Sequence, residues 1–256
     1  MLAKYLLIIL GLALFLNGCS GFKRYDKIAT EEYIYKAGDK NALKIDNISG
    51  SVRVVNSLDS TIRIKITKQI SVKKKDLEKP FSEIKVNIDT NGNTLKIDAD
   101  IFAKSGGLFS QVRNPFIDYE VSVPSYMDLT IENTNGYVVV KNVNSNINID
   151  VINGSIDFTG SAKNLNLGIT NGDVTGKIDS VNSVNIDCIN SEIMLTVPED
   201  FPGLFDVESM NGKIETDNLE IMMSEKEKNL FRGKNGTGEI PVKVRTVNGK
   251  IFLIGK

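Results

Sequence analysis

The stretch IDVINGSIDF, residues 149–158, decides the fold of this chain. Asn153-Gly154 stands there between two runs of alternating apolar residues, and alone it is the short-range signal for a two-residue β-hairpin. The same dipeptide recurs in nearly the same setting at Asn135-Gly136 and Asn171-Gly172. A signal that returns at a nearly constant period indicates a repeat architecture, in which each Asn-Gly is one corner of a recurring unit.

Seven segments align on this glycine, and the spacings from the second to the sixth anchor are 18, 18, 19 and 21 residues. The anchors are Gly50, Gly136, Gly154, Gly172, Ser191, Gly212 and Gly249. Seven and five residues before the anchor, and two residues after it, every segment carries an apolar residue. This alternation predicts a half-buried strand on each side of the corner.

The apolar columns by themselves fit a hairpin as well as a solenoid, and the period separates the two. At about 3.3 Å per residue, an 18-residue unit holds two short strands and two short corners. The sequence therefore favours an all-β fold, a β-helix-like β-solenoid with coils of about 18 residues, an N-terminal β block and end caps. A meander of hairpins is the alternative. Asn91-Gly92 lies outside the column pattern and is interpreted as a true hairpin turn.

The residue before the anchor is asparagine in most segments, and stacked amides can form a hydrogen-bonded ladder. Glycine supplies the positive φ that such a corner needs. The predicted structural corner residues are Asn135, Gly136, Asn153, Gly154, Asn171, Gly172, Asn211, Gly212, Asn248 and Gly249.

The N-terminus has the layout of a secretory signal, with Lys4, an apolar run and small residues after it. The segment Leu16-Asn17-Gly18-Cys19 resembles a bacterial lipobox, so we expect a lipoprotein signal peptide over 1–18 and lipidation at Cys19. An uncleaved anchor or an ordinary secretory signal is the alternative. Since Ser20 follows the cysteine, outer-membrane sorting is favoured in a bacterium with two membranes.

The rest of the chain divides into three expected parts: a lipidated tether over 19–40, an N-terminal β block over 41–116, and the regular solenoid over 117–256. An inserted loop is expected at about 223–238, with the final coil closing the stack. With Cys19 lipidated, Cys188 is the remaining cysteine, interpreted as a small buried hydrophobe in a strand.

Composition excludes several classes of function. The 256 residues hold 31 Lys and Arg against 32 Asp and Glu, which is not the basic footprint of a nucleic-acid binder. The absence of histidine removes the commonest general base and metal ligand. No residue is assigned a catalytic, cofactor-binding or metal-binding role, and no cofactor is expected.

Four residues before the anchor lies an acidic column, interrupted by Gly168 and Arg245. Its members are Asp46, Glu132, Asp150, Asp187 and Glu208. Cation binding or paired carboxylates of a polysaccharide-cleaving enzyme are two hypotheses for it. A solvated, partly self-repelling face is the simpler interpretation.

The segments VSVPSYMDLTIENTNGYVVV, LTVPEDFPGLFDVESMNGKIET and TGEIPVKVRTVNGKIFLIGK resemble the bacterial "putative adhesin" family over residues 41–256. It is a domain of unknown function, a β-solenoid related to auto-transporter adhesin head domains. Ser191 departs from its corner glycine. The family has no established catalytic residues, so the resemblance implies none.

These observations lead to the hypothesis of a non-catalytic, envelope-anchored β-solenoid lipoprotein that presents a surface for binding, adhesion or scaffolding. Its expected partners are the membrane, through the lipid, and an unidentified protein or glycan. A polysaccharide-acting enzyme and a sensor or accessory subunit of a membrane complex are the alternatives.

Overall fold

The computed structural model describes residues 24–73, 77, 84–101 and 113–256. Three long strands, β8 (Asp128–Lys141), β9 (Asn146–Gly160) and β10 (Asn164–Ile178), each run straight through an Asn-Gly corner. They pair in parallel, with Gly136 opposite Gly154 and Gly154 opposite Gly172. The predicted β-solenoid is therefore confirmed, since each of these Asn-Gly pairs is a corner and not a hairpin.

The arms before the corner form a first sheet. Its order is β5 (Ile84–Asp89), β6 (Thr94–Ile101), β2 (Ala42–Ser49), β8, β9, β10, β11 (Ser183–Asn190), β17 (Ile240–Asn248), β13 (Gly203–Ser209), β16 (Leu230–Asn235) and β15 (Ile221–Lys226). Pairing is parallel from β6 to β13 and antiparallel at both ends. The antiparallel end strands cap the stack, as predicted. The β5–β6 hairpin encloses Asn91-Gly92.

The arms after the corner form a second sheet. Its order is β1 (Arg24–Lys36), β4 (Thr61–Lys73), β7 (Arg113–Val123), β3 (Val52–Asn56), β8, β9, β10, β12 (Ile193–Val197), β18 (Ile251–Gly255) and β14 (Ile214–Asp217). β1, β4 and β7 are antiparallel, and the remaining neighbours are parallel.

The core lies between the two sheets and is built from the three apolar columns of the repeat. All their members are buried except Ile214, which is partly buried in the end coil. Tyr119 and Phe158 are the bulkiest fully buried side chains. No helix long and apolar enough to cross a membrane occurs in the described part of the chain.

The corner glycines are required by contact between coils as well as by backbone conformation. A Cβ built on Gly172, whose φ is +135°, would lie 1.6 Å from the carbonyl oxygen of Gly154. The same atom on Gly136 would lie 2.0 Å from the carbonyl oxygen of Gly50. Each corner therefore rests directly on the backbone of the coil before it.

At Ser191 the corner residue carries a side chain. Strands β8, β9 and β10 continue through their glycines, whereas β11 ends at Asn190 and β12 begins at Ile193. The side chain of Ser191 is buried. The strands also end and restart around Gly50, Gly212 and Gly249, so the interruption at Ser191 does not depend on its side chain, and the stack continues through it.

The order of the coils departs from the order of the chain, and the expectation that the last coil closes the stack is wrong. β17 and β18 lie between the Ser191 coil and the Gly212 coil, paired in parallel with both. Antiparallel β16 pairs with the outer edge of β13. The inner edge of β13 is therefore the one that pairs with β17. The Gly212 coil is thus the terminal coil.

Two further expectations need correction. The segment expected as a tether over 19–40 contains β1, which pairs along its whole length with β4. Its inward positions include Lys27 and Glu31, and Glu31 Oε1 lies 2.6 Å from Nζ of the buried Lys68. The strand was not predicted from the sequence because charged residues interrupt the apolar pattern at its inward positions. The loop expected at about 223–238 instead holds most of the β15–β16 hairpin.

Signal peptide residues 1–18 and Cys19 lie outside the described residues. The division at 116/117 stays a prediction. In the structure, strands from both expected parts join the same two sheets, because β2 and β3 pair directly with β8.

Replacing Gly172 with alanine is expected to lower the free energy of unfolding by more than about 4 kcal/mol, since the new Cβ collides with a backbone atom that cannot move aside. Gly92→Ala is the matched control, because its φ is +66° but nothing lies within 4 Å of the new atom. Gly92→Ala should lower the free energy of unfolding by roughly 1–2 kcal/mol, because alanine is strained in the left-handed conformation. Denaturant unfolding of both variants measures the difference, and equal costs would contradict the stacking argument.

Candidate binding surface along the corner

The corner carries a continuous ladder of exposed asparagines, one per coil from Asn135 to Asn211. Each amide after Asn135 donates from Nδ2 to Oδ1 of the preceding coil, over distances of 2.7–3.0 Å, and Asn135 donates to the carbonyl oxygen of Ile48 over 3.2 Å. In order along the stack the members are Asn135, Asn153, Asn171, Asn190, Asn248 and Asn211. Since an amide has two N–H donors and two acceptor lone pairs, each rung keeps hydrogen-bonding capacity toward solvent.

Beside this asparagine ladder runs a column of exposed β-branched and apolar residues, two positions before the anchor. We call it the corner stripe: Ile48, Thr134, Ile152, Thr170, Ile189, Val247 and Met210, in stack order. Four of these are largely exposed: Ile48 at 48%, Ile152 at 49%, Ile189 at 46% and Met210 at 60%. At about 4.8 Å per coil, the corner stripe extends about 29 Å.

The corner stripe was missed by the sequence reasoning. Its signal was present, because the same repeat position carries isoleucine, threonine, valine or methionine in all seven segments. Such a column would ordinarily be assigned to the core. Strand alternation makes the difference: the positions seven, five and three before the anchor face the core, so the position two before it faces outward, like the acidic column.

The acidic column lies on the outer face of the first sheet, next to the corner stripe, and is neutralised at both ends. Lys44 Nζ lies 3.3 Å from Asp46 and 2.8 Å from Glu132. At the other end Arg245 lies 3.6 Å from Glu208 and 3.3 Å from Asp206.

Between these ends, Asp150 and Asp187 have no ion pair among the residues that the structure describes. Each instead accepts a hydrogen bond from the asparagine two residues earlier in its own strand. The distances are 3.4 Å from Asn148 and 3.3 Å from Asn185. Two carboxylates in the middle of the column are therefore available to a cation from outside.

Gly168 lies between these two carboxylates in the parallel register and opens a notch in the column. Asp150 leans into the notch, since a Cβ on Gly168 would lie 2.4 Å from its Oδ1. The notch belongs to a groove of about 420 Å³ with an acidic wall and a corner-stripe wall. Glu132, Asp150 and Asp187 line the first wall, and Thr134, Ile152, Thr170 and Ile189 line the second.

Burial in this groove raises the pKa of the Asp150 carboxyl above its ordinary value. The hydrogen bond from Asn148 opposes the shift, and the negative charge of Glu132 adds to it. The negative charge of Asp150 is therefore unfavourable in this groove, and a cation bound beside it would stabilise the carboxylate.

The opposite corner carries a second, shorter polar ladder. Asn146 Nδ2 lies 3.1 Å from both carboxylate oxygens of Asp128, Asn164 donates to Asn146 over 2.8 Å, and Ser183 donates to Asn164 over 2.7 Å. The sequence predicted a corner there but not its hydrogen bonding, because the ladder combines three residue types.

Other reactive groups give no sign of chemistry. Cys188 is buried, and burial raises the pKa of its thiol to about 11. Within the described ranges no cluster of three or more Cys, Asp or Glu residues could hold a metal ion. Among those residues, the acidic column therefore offers no site at which several carboxylates could bind one cation together.

The repeat, the two-sheet stack and the glycine corner can be compared with known proteins. The model of the family described as Toastrack DUF4097 matches residues 118–253, more than half of the chain. The chain belongs to the Toastrack DUF4097 family. The resemblance to an adhesin-like family of unknown function is thereby confirmed. No curated protein matches this Toastrack chain.

Solved structures similar to the Toastrack chain come from several bacteria. A "putative cell adhesion protein" from Clostridium sporogenes is 13% identical, with 91% of this chain and 100% of that chain covered and a TM-score of 0.48. A "putative adhesin" from Bacteroides fragilis is 16% identical, with coverages of 88% and 96% and a TM-score of 0.41. Similarity at this level says nothing of what the Toastrack chain binds.

Replacing Asp150 with asparagine is expected to raise the free energy of unfolding at pH 7. Because its folded-state pKa is raised, the carboxyl favours the folded state only while protonated, and this contribution is lost as the pH rises through that pKa. The gain in the variant should therefore shrink toward zero as the pH falls below about 3.9. Urea unfolding across this range measures it, and a variant less stable than wild type at pH 7 would contradict the charge argument.

Proposed function

We propose that the protein is a non-catalytic, envelope-anchored binding protein that uses the corner surface for adhesion or scaffolding. The observation that carries the proposal is the corner stripe, a row at coil spacing in which isoleucine and methionine side chains are exposed and threonine and valine side chains are partly exposed. Exposed apolar residues arranged in one contiguous row mark interaction sites in soluble proteins. The adjacent asparagine ladder supplies regularly spaced hydrogen-bonding groups for the same partner.

The rigidity of the stack supports this role. Every coil along the corner is hydrogen-bonded to its neighbours through the backbone and the asparagine ladder. A partner therefore meets side chains that are already in place, so that little conformational entropy is lost on binding.

Anchoring would come from the N-terminus. The proposal places the lipid on Cys19, after a signal peptide over 1–18, with β1 beginning at Arg24. In a bacterium with two membranes the anchor would lie in the outer membrane. Residues 41–116 would then form the membrane-proximal end and 117–256 the distal solenoid. A lipoprotein anchor of two or more acyl chains is sufficient for stable attachment.

The absence of catalysis is supported by the state of the acidic column. Cleavage of a glycosidic bond needs two carboxyl groups that flank one sugar, one of them able to donate a proton. Asp150 and Asp187 are separated by a whole coil, and they point along one exposed wall of an open groove. Arg245, the nearest cation of the column, is already held by Asp206 and Glu208.

Lipidation can be tested directly in cells. Growth with radiolabelled palmitate should label the wild-type chain, and Cys19→Ser should abolish the label because the thiol is the acyl acceptor. Fractionation should find the wild-type protein in the membrane pellet and the variant outside it. A labelled Cys19→Ser variant would contradict the assignment, and Cys188→Ser controls for the second cysteine of the chain.

Binding and catalysis can be separated in one experiment. A photoreactive amino acid at Thr170, in the corner stripe, should crosslink a partner in intact cells, whereas the same group at Asp179, on the opposite corner, should not. Incubation with acidic and neutral glycans should release no reducing ends above background. Release that disappears in Asp150→Asn and Asp187→Asn would show an enzyme and overturn the proposal.

A further inference from the structure

The groove between the acidic column and the corner stripe has a regular composition that alternates from coil to coil. Coils with isoleucine in the corner stripe alternate with coils with threonine: Ile48, Thr134, Ile152, Thr170 and Ile189 follow one another along the stack. Each of the isoleucines follows an aspartate by two residues: Asp46, Asp150 and Asp187. The groove therefore repeats every second coil, an interval of about 9.6 Å.

This two-coil unit consists of one aspartate and one exposed isoleucine, and the coil between the first two units carries Glu132 and Thr134. Between Asp150 and Asp187 the intervening coil offers only Gly168 and Thr170. Asp46 is paired with Lys44, whereas Asp150 and Asp187 have no cation partner among the described residues. The unsatisfied charge of the groove is thus concentrated in two units about 9.6 Å apart.

We propose that the groove binds an extended basic peptide of a partner protein in the polyproline II conformation, with a lysine or arginine at every third residue. This inference rests on the proposed binding function and names the partner for it. A polyproline II chain has three residues per turn and rises about 3.1 Å per residue, so one of its faces repeats every 9.3 Å or so. That repeat matches the two-coil interval of the groove.

Other extended conformations do not match. In a β-strand the residues on one face recur every second position, about 6.7 Å apart, so successive cations would fall out of step with Asp150 and Asp187. An α-helix needs seven residues for about 10.5 Å and is about 10 Å wide, too wide to follow an open groove of this size.

The chemistry of the walls fits such a peptide. Each ammonium or guanidinium group would pair with Asp150 or Asp187, and the aliphatic stem of the same side chain would lie on Ile152 or Ile189. The backbone of a polyproline II chain makes no internal hydrogen bonds, so its carbonyl and N–H groups need partners. The asparagine ladder, one residue beyond the corner stripe, has donors and acceptors free for them.

Charge also argues against other occupants. An anionic membrane surface would be repelled by the Asp150 and Asp187 carboxylates of the acidic wall, which have no ion pair among the described residues. A second copy of this chain placed corner to corner would bring the two acidic walls together. The notch at Gly168 leaves room for the Asp150 carboxylate, which a Cβ there would displace.

Fluorescence anisotropy of the full-length protein in a neutral detergent tests the inference. The probe is a rhodamine-labelled twelve-residue peptide of four Pro-Pro-Lys repeats. The comparison peptide has the same composition with lysine at every second position over its first eight residues. We expect the first peptide to bind about threefold more tightly, because its charges can pair with both carboxylates at once and those of the second peptide with only one.

Variants connect the binding to the groove. Asp150→Asn together with Asp187→Asn should weaken the peptide about tenfold, since two exposed ion pairs are lost. Asp179→Asn, at an exposed carboxylate on the opposite corner, should leave the affinity unchanged. Gly168→Ala should also weaken binding by displacing the Asp150 carboxylate, and unfolding curves check that each variant remains folded.

Four results would overturn the inference. Equal affinity for the two peptides would show that charge, and not spacing, is recognised. An equal loss in Asp179→Asn would show general electrostatic attraction. Binding of a glucosamine oligomer that depends on Asp150 and Asp187, without binding of either peptide, would assign the groove to an amino-sugar polymer. If all peptides fail while the Thr170 crosslink persists, the binding function stands and only the partner class is wrong.

Discussion

The structure depends on one close approach, the contact of each corner glycine with the backbone of the coil before it. A Cβ built on Gly172 would lie 1.6 Å from the carbonyl oxygen of Gly154, and one built on Gly154 would lie 1.7 Å from that of Gly136. There is therefore no room for a side chain at this point. A shift of one residue in register would place a side chain in that contact and turn the apolar columns outward. The contact therefore aligns the coils, and the buried columns and the asparagine ladder follow from the alignment.

Alignment turns every repeat position into a straight column, and the columns differ in what constrains them. The inward columns fill the space between two sheets and are almost entirely aliphatic. The outward columns do not have to fill a core, but their charges are arranged in a pattern. Cations neutralise the two ends of the acidic column, and the carboxylates in its middle have no ion pair among the described residues. The open middle has an energetic cost at Asp150, where burial and the charge of Glu132 raise the pKa of the carboxyl. Features of this kind are expected where a surface serves binding.

Much of the fold could be predicted because its rule is local and repeated. The corner, the apolar columns and the parallel stacking each rest on a pattern that seven segments share, so an exception such as Ser191 does not hide it. The ends of the stack were harder to predict from the sequence. β1 was assigned to a tether because Lys27 and Glu31 occupy inward positions, and only the proximity of Lys68 explains how the charge of Glu31 is tolerated there. The candidate site was predicted only in part, since the asparagine and acidic columns were recognised and the corner stripe was not.

The sequence by itself determined the family of folds, the length of the coil and the residues that form its corner. Period and residue type are properties of consecutive residues, and they do not depend on which coil lies next to which. The tertiary structure alone decided that the C-terminal coil lies inside the stack, because β16 covers the outer edge of β13 and leaves the inner one. It also decided which aspartates are paired. Lys44 reaches Glu132 from 88 residues away in the sequence, while Asp150 and Asp187 lie beyond its reach. Such pairings are set by distance in space, which the order of residues along the chain does not encode directly.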